Sequence, residues 1–441
     1  MKVGLACGRY GTRWLACDSG AFGAYPALRH NERKLSLHLD GAAERRRPAV
    51  RSVRQGVIAL YFNFTSQIAN DWWGRRAFLN TWWRANARDH RWTPPVYSFL
   101  ESTLVHRRDP LMNTYRPDLL AVEAVTRQSF STNIGGMVMP TGMGDSIVAQ
   151  ALALHDRRVD PATTFLAMMA FANDEETLDR LLDSTWQSAA THGAQRIVAP
   201  AQWAPSFSSG LLLDHFHVLP PLHTPYNAPF VPELMQGAME PLQHSLLWYL
   251  EVAHAPTASA LPQGVQIESF DVDRLAGDLL PLAQAAAVTA AVLEPPTVDE
   301  VRFALRMWTA LAIGAPLAGR LVTVDGAPIA FYVTQADVGA MLRRLRGGRP
   351  LWARSLLALR PRFHRHWRSV EGRVLLAACM PHADERSVAQ AMIDDLGARA
   401  RGMGWRTLTI GPLPEGAAIA QVLANAGAIA RQRYALFVQE T

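Results

Sequence analysis

Cysteine is scarce in these 441 residues: only Cys7, Cys17 and Cys379. An odd, unpatterned set builds neither a disulfide framework nor a thiolate metal site. Lysine is scarce too, so the formal charge of +6 rests on arginine. A charge of that origin partly reflects the base composition of the gene; it says little about nucleic acid but is compatible with anionic ligands. No apolar run is long enough for a bilayer-spanning helix. The opening MKVGLACGRYGTRW has neither an unbroken apolar core nor a small-residue cleavage site. A secretory signal is therefore not expected, and a reducing cytoplasm is the expected location. A G-x-S-x-G elbow, a P-loop and a dinucleotide fingerprint are also missing, which leaves hydrolase, kinase and Rossmann readings without support.

What is present is globular. Hydrophobic residues make up 49% and charged residues 19%, and the length predicts two domains rather than one core. Residues 1–55, rich in Gly and Arg, read as a loosely ordered extension. Over 68–88, Trp72, Trp73, Phe78, Leu79, Trp82 and Trp83 have the spacing of an amphipathic helix. RWTPP (91–95) stops it, because residues before proline avoid helical geometry. Strands are predicted at 118–126, 146–154 and 163–171, with a loop over the Gly- and Met-rich 131–144. HAPTASALPQG (254–264) reads as a linker. Beyond it, GRLVTVDGAPIAFYVTQ (319–335) reads as a hairpin around Asp325–Gly326.

The strongest internal signal is a repeat. LAMMAFANDEETLDRLLDSTWQSAATHG (166–193) overlays LAACMPHADERSVAQAMIDDLGARARGMG (376–404) with one inserted residue. Each copy is an apolar strand, an Asp–Glu pair, a helix and a Gly, followed by a second strand with a proline: RIVAP (196–200) and RTLTIGP (406–412). That order predicts a βαβ unit folded twice.

The segment GLLLDHFHVLPPLHTPYNAPFVPELMQ (210–236) holds three histidines and five prolines. Read as a strand, His215 and His217 would share a face. A third zinc ligand would then have to come from a loop, and no second cluster supports a metal, so the metal assignment is none. Pro220, Pro221, Pro225, Pro229 and Pro232 fix φ and remove donors, so the path is rigid and irregular. Such a path suits a binding wall or a self-satisfied connection. Arginines 343, 344, 346, 349, 354, 360, 362, 365, 368 and 373, interleaved with Trp352, Phe363 and Trp367, read either as a phosphate or RNA grip or as a solvated helical face with inward aromatics.

Taken together, RWTPP (91–95), RIVAPAQW (196–203), GLLLDHF (210–216), PP (220–221), PYNAPFVPELMQ (225–236) and LANAGAIARQRYALFVQE (423–440) resemble the bacterial proteins that carry two GNAT-like acyltransferase domains in tandem. The resemblance covers roughly 60–441. It implies an α/β fold of two tandem GNAT-like domains, each a mixed twisted sheet flanked by helices, at 56–253 and 265–441. It also implies N-acyl transfer from a CoA or carrier-protein thioester to a small-molecule amine, with no tightly bound cofactor. Rival readings are a non-catalytic binding or scaffold protein and an aminoacyl-tRNA-dependent transferase.

In such proteins the basic, Gly-rich turn R/Q-x-x-G-x-G/A opens the repeated helix and binds pyrophosphate. Neither copy here has it. The first has Asp174, Glu175 and Glu176, which complement the helix dipole and repel phosphate. The second has Arg386, so the donor is expected there, on Arg386, Ser387 and Val388. Asp214, His223, Tyr226 and Asn227 are expected to line the first cleft, with Trp203 and Ser208 among the substrate-binding residues. His215, His217 or His223 is the expected base, with His215 and His223 foremost, and Tyr226 the acid for the leaving thiolate. Trp72, Trp73, Trp82 and Trp83 are candidates for an acyl pocket, with core packing as the alternative.

Overall fold

The structure is a computed structural model. It describes residues 62–68, 70–108, 117–125, 132–134, 137–139, 147–155, 160–201, 209–255, 261–269, 280, 282, 297–303, 318–359, 369–380 and 385–440. The expected extension 1–55 and most of the arginine run beyond 359 lie outside these residues.

Strands β1 (Phe62–Ile68), β2 (Asp118–Val125), β5 (Ile147–His155), β6 (Thr163–Phe171) and β7 (Arg196–Ala201) form the first part of one mixed sheet. The 131–144 stretch, expected as a loop, contains a short antiparallel pair, β3 (Thr132–Ile134) and β4 (Met137–Met139). Helix α1 (Trp72–Asn86) lies on one face of the sheet and α3 (Glu175–His192) on the other. The strand sequence accounts for this. Leu119, Leu152, Phe165 and Val198 share a core with Phe78, Leu79 and Trp83 of α1. Their chain neighbours Leu120, Ala151, Leu166 and Ile197 share another with Leu178, Leu181 and Leu182 of α3. Successive side chains point to opposite faces, so a strand covered on both faces must be apolar throughout. Trp83 is buried whereas Trp73 is exposed, so the aromatic stripe belongs in part to the core. Between these elements lie a single turn, α2 (Tyr97–Leu100), and a π-helical turn, Glu101–Val105.

The second part repeats the plan. Helix α4 (Val231–Ala238) and β9 (Glu240–Glu251) end the first half; β10 (Val265–Ser269), β11 (Ala318–Val324), β12 (Ala327–Ala336), β13 (Glu371–Cys379) and β14 (Thr407–Pro414) follow. The β11–β12 turn falls at Asp325–Gly326 as expected. Helices α5 (Gly339–Arg344) and α6 (Leu351–Leu359) precede β13, α7 (Glu385–Gly402) joins β13 to β14, and α8 (Ala418–Asn425) leads to the closing strand β15 (Ile429–Glu440). The two βαβ units match: β6 and β7 are parallel, β13 and β14 are parallel, and α3 and α7 are each 18 residues long.

The halves exchange their last strands. Along the sheet the order is β1-β2-β5-β6-β7-β15-β9-β14-β13-β12-β11-β10. β15, from the end of the chain, pairs with β7 of the first half (Phe437 opposite Ala199). β9, from the first half, pairs with β14 of the second (Leu408 opposite Leu250). The sheet is therefore continuous from the first half into the second, and each half is completed by the other's strand.

Candidate functional site

In both halves the parallel pairing stops before the first strand of the pair ends, and this is the splay. β6 and β7 are paired from Thr163–Arg196 to Ala167–Ala201, with a register shift between Phe165 and Ala167, while β6 continues to Phe171. β13 and β14 are paired from Glu371–Thr407 to Val374–Ile410, then run on to Cys379 and Pro414 without pairing. Over that length β13 stays bonded to β12 on its other side. The backbone edge facing β14 is thus the one that gives up its ladder.

The helices after the splays begin differently. α3 is capped by Asp174, whose Oδ2 accepts from the Thr177 amide at 3.0 Å and its hydroxyl at 2.6 Å, with Glu175 and Glu176 exposed in the first turn. Arg386 and Ser387 are exposed in the first turn of α7, and Arg386 donates to Gln421 Oε1 at 3.0 Å. Val388 is fully buried in the core, so the part of it able to meet a donor is its backbone. Burial pushes the Cys379 thiol, at the end of β13, up to about 12, with Glu385 adding to the shift. It is a neutral thiol at physiological pH and a poor nucleophile.

The proline-rich segment folds back on the sheet as a strap. β8 (Leu211–Leu212) pairs with β15. The chain then turns at His215, whose φ is +51°, so His215 and His217 do not share a strand face as expected. Asp214 Oδ1 accepts from the Arg433 amide at 2.9 Å and lies 3.0 Å from His215 Nδ1. Farther on, the Pro220 carbonyl accepts from Thr93 Oγ1 at 2.8 Å and from Arg343 at 3.2 Å. Leu222 donates its amide to Asp337 Oδ2 at 3.1 Å and accepts at its carbonyl from Arg373 Nε at 2.9 Å. Arg373 also donates to the carbonyls of Thr409 and Gly411.

Several expected roles change accordingly. His223 is half-buried with its Nε2 shut away from solvent, and burial, with the Arg373 charge beside it, lowers it to about 3. It is therefore no base at neutral pH. Asn227 is committed to the backbone of β8: Oδ1 accepts from the Leu212 amide at 2.7 Å and Nδ2 donates to the Leu212 carbonyl at 3.1 Å. The Tyr226 hydroxyl donates to Asp89, which Arg91 also grips at 2.7 and 3.0 Å. Burial first, and then that hydrogen bond, raise the Tyr226 phenol, while Arg91 holds Asp89 well below the usual carboxylate range. A phenol held this way positions rather than gives up its proton. Trp203 and Ser208 lie outside the described residues.

RWTPP and PYN, separate motifs in the sequence, therefore meet in space through Arg91, Asp89 and Tyr226. Asp89 and Asp337 carried no such signal, because isolated charged residues far apart in the chain do not reveal their partners; Arg373, read as part of the arginine run, is instead buried and bonded to backbone carbonyls. The described part of the arginine run is largely occupied with the first half. Arg349 donates to Asn80 at 3.2 Å, with its guanidinium over Trp83 and Tyr97, and Arg354 pairs with Glu101 at 2.7 Å. Trp352 is exposed rather than turned inward. A surface hollow of about 550 Å³ at the other end of β14, lined in part by Glu251, Trp405 and Arg406, holds none of these residues.

The repeated βαβ units, the splays and the strand order define the architecture. This is the arrangement expected of two GNAT-like domains in tandem. No family model and no curated protein matches the chain. Among solved structures it is similar to a probable N-acyltransferase from Enterococcus faecalis (6% identity, 86% of this chain and 73% of that one, TM-score 0.49). A tandem GNAT protein of the clavulanic acid biosynthesis pathway is also similar (11%, 86% and 98%, 0.46), as is a GCN5-related N-acetyltransferase from Sphaerobacter thermophilus (11%, 86% and 95%, 0.44). Among the described residues no helix is long and apolar enough to cross a membrane.

Proposed function

We propose that the protein transfers an acyl group from a thioester donor, on CoA or a carrier protein, to an amine, and that the donor lies in the second half. The observation that carries this is the divergence of β13 from β14 after Val374–Ile410. Backbone groups on the open edge suit an extended diamide such as a pantetheine arm, which can pair with them like an added strand. Arg386 and the amides of the first turn of α7 supply positive charge for the donor's phosphates. The first half offers carboxylates in that place. With Cys379 neutral, direct attack by the amine is favoured over an acyl-cysteine intermediate.

His215, oriented by Asp214, is the base in this reading. Asp214 bonds to Arg433 of β15, Arg433 stands opposite Leu246 of β9, and Leu246 stands opposite Leu413 of β14. The histidine loop is thus three strand spacings, about 14 Å, from β14 at the splay. Tyr226 positions Asp89 and Arg91 beside that loop, since Arg91 also donates to the Phe216 carbonyl at 3.1 Å.

Calorimetric titration with CoA, acetyl-CoA and a loaded carrier protein tests this. The wild type is expected to bind, Arg386→Glu to weaken binding at least about tenfold, and Glu175→Gln to leave it unchanged. The non-catalytic binding reading draws on the internal bonds of Asn227 and Tyr226. It gains if none of the three donors binds.

A further inference from the structure

Far from the splay, where β6 begins, three side chains from distant parts of the chain come together. Asp118 opens β2, His155 closes β5 and His192 closes α3. One ligand atom from each lies within 4.8 Å of the other two. His155 is buried, whereas Asp118 and His192 are half-exposed, so the cluster opens to solvent on one side. The imidazoles are stacked, with centroids 3.7 Å apart and planes 7° from parallel. Asp118 Oδ2 lies 3.6 Å from His155 Nε2, with the Ser188 hydroxyl between them, 2.7 Å from the carboxylate and 3.0 Å from the ring.

Each ring is held by its other nitrogen. His192 Nδ1 lies 3.0 Å from the Ser188 carbonyl. A carbonyl only accepts, so Nδ1 carries the proton and the neutral ring keeps its lone pair on Nε2. His155 Nδ1 lies 3.1 Å from Thr164 Oγ1, which can accept a hydrogen bond from Nδ1–H and so leave the lone pair on Nε2 for a ligand role. Metal-binding imidazoles are commonly fixed in this way, through the nitrogen that does not bind the ion; because the two ring planes are nearly parallel, the half-exposed His192 ring has to turn out of the stack for both lone pairs to meet one ion. Burial pushes the Asp118 carboxyl up, but hydrogen bonds with His155 and Ser188 outweigh it and leave it below the usual range.

We propose that Asp118, His155 and His192 form a three-ligand site for a divalent transition-metal ion of the zinc class, with a position left for solvent. Two imidazoles and one carboxylate suit zinc and its first-row neighbours, and do not suit magnesium, which prefers oxygen. An ion there ties the last turn of α3 to β2 and β5 across the first half. It lies at the opposite end of β6 from the splay, so its effect falls on stability rather than on turnover.

The test uses tag-free full-length protein, stripped with a chelator and titrated with zinc in competition with a chromophoric chelator. The wild type is expected to take up one equivalent with a rise in Tm. His192→Ala and Asp118→Asn, both at half-exposed positions and checked for folding by circular dichroism, are expected to lose at least about tenfold in affinity. His215→Ala with His217→Ala is expected to bind as the wild type does, and magnesium to have no effect. Failure of the wild type to bind zinc at about 100 μM, far weaker than structural sites bind, overturns the proposal. So does undiminished binding by both His192→Ala and Asp118→Asn.

Discussion

Arg373 and Leu222 are 151 residues apart in the chain, yet the Arg373 guanidinium donates from Nε to the Leu222 carbonyl at 2.9 Å. Through this bond a buried cation on a strand of the second half holds the proline-rich strap of the first. Burial lowers Arg373 to about 10, while Asp337, Tyr434 and Tyr249 favour its charged form. The strap is less the wall of one cleft than a fastening between halves. Leu222 packs among Val338, Met341, Leu342 and Leu357 on the other side of the division.

Arg373→Met keeps much of the side chain's bulk but leaves the carbonyls of Leu222, Thr409 and Gly411 without their donor. Hydrogen bonds to charged groups contribute about 1.5–3 kcal/mol each, and they are not additive. Urea unfolding is expected to show a loss of about 3 kcal/mol or more. An unchanged midpoint would mean that the fastening contributes little.

His223 gives the fold a dependence on acid. Its folded value, about 3, lies below the ordinary 6.5. The unfolded chain therefore binds the extra proton between those values, and stability rises with pH there. The contribution is complete above about pH 6.5 and is lost as pH falls towards 3, at no more than about 1.4 kcal/mol per pH unit. His223→Gln is expected to flatten the plot of unfolding free energy against pH over that window. The same slope in both proteins would show that another group sets it.

Tyr226→Phe removes the hydroxyl that donates to Asp89 but leaves Arg91 on the carboxylate. A stability loss of about 1 kcal/mol is expected, with any acyl transfer reduced rather than abolished. In ultraviolet titration the wild type should hold one more tyrosine above the usual phenol range than the variant does.

Gly347 lies in a left-handed turn, φ +60°, and a Cβ there would come 2.3 Å from the Pro95 carbonyl oxygen and 2.7 Å from the Trp83 ring. This close approach brings Arg349 over Trp83 and Tyr97. Gly347→Ala is expected to lower stability by about 1–3 kcal/mol, measured by thermal unfolding. A neutral result would mean that the second half yields at this contact.

Much of the architecture was legible in the sequence because periodicity and repetition are local properties. The apolar runs of β6 and β13, the acidic starts of the following helices and the prolines of β7 and β14 mark the repeated unit in the sequence itself. The exchange of β9 and β15 was not legible, since the strand pattern of LLWYL (246–250) fits any neighbour equally well. At the strap, the prolines predicted an irregular path, and between β8 and α4 the chain forms no regular element. Composition did not predict that Asn227 would satisfy β8, or that burial would remove His223 from neutral-pH chemistry. Those outcomes depend on partners such as Leu212 and Arg373, which no spacing brings together. Asp118, His155 and His192 likewise meet only through the strand order.

Hydrogen exchange with and without acetyl-CoA tests the central claim most directly, because it reports where the donor lies. Binding in the second splay predicts slower exchange at Leu375–Cys379 and in the first turn of α7, with residues 168–176 unchanged. Protection at 168–176 instead, or no protection in either half at saturating ligand, would contradict it.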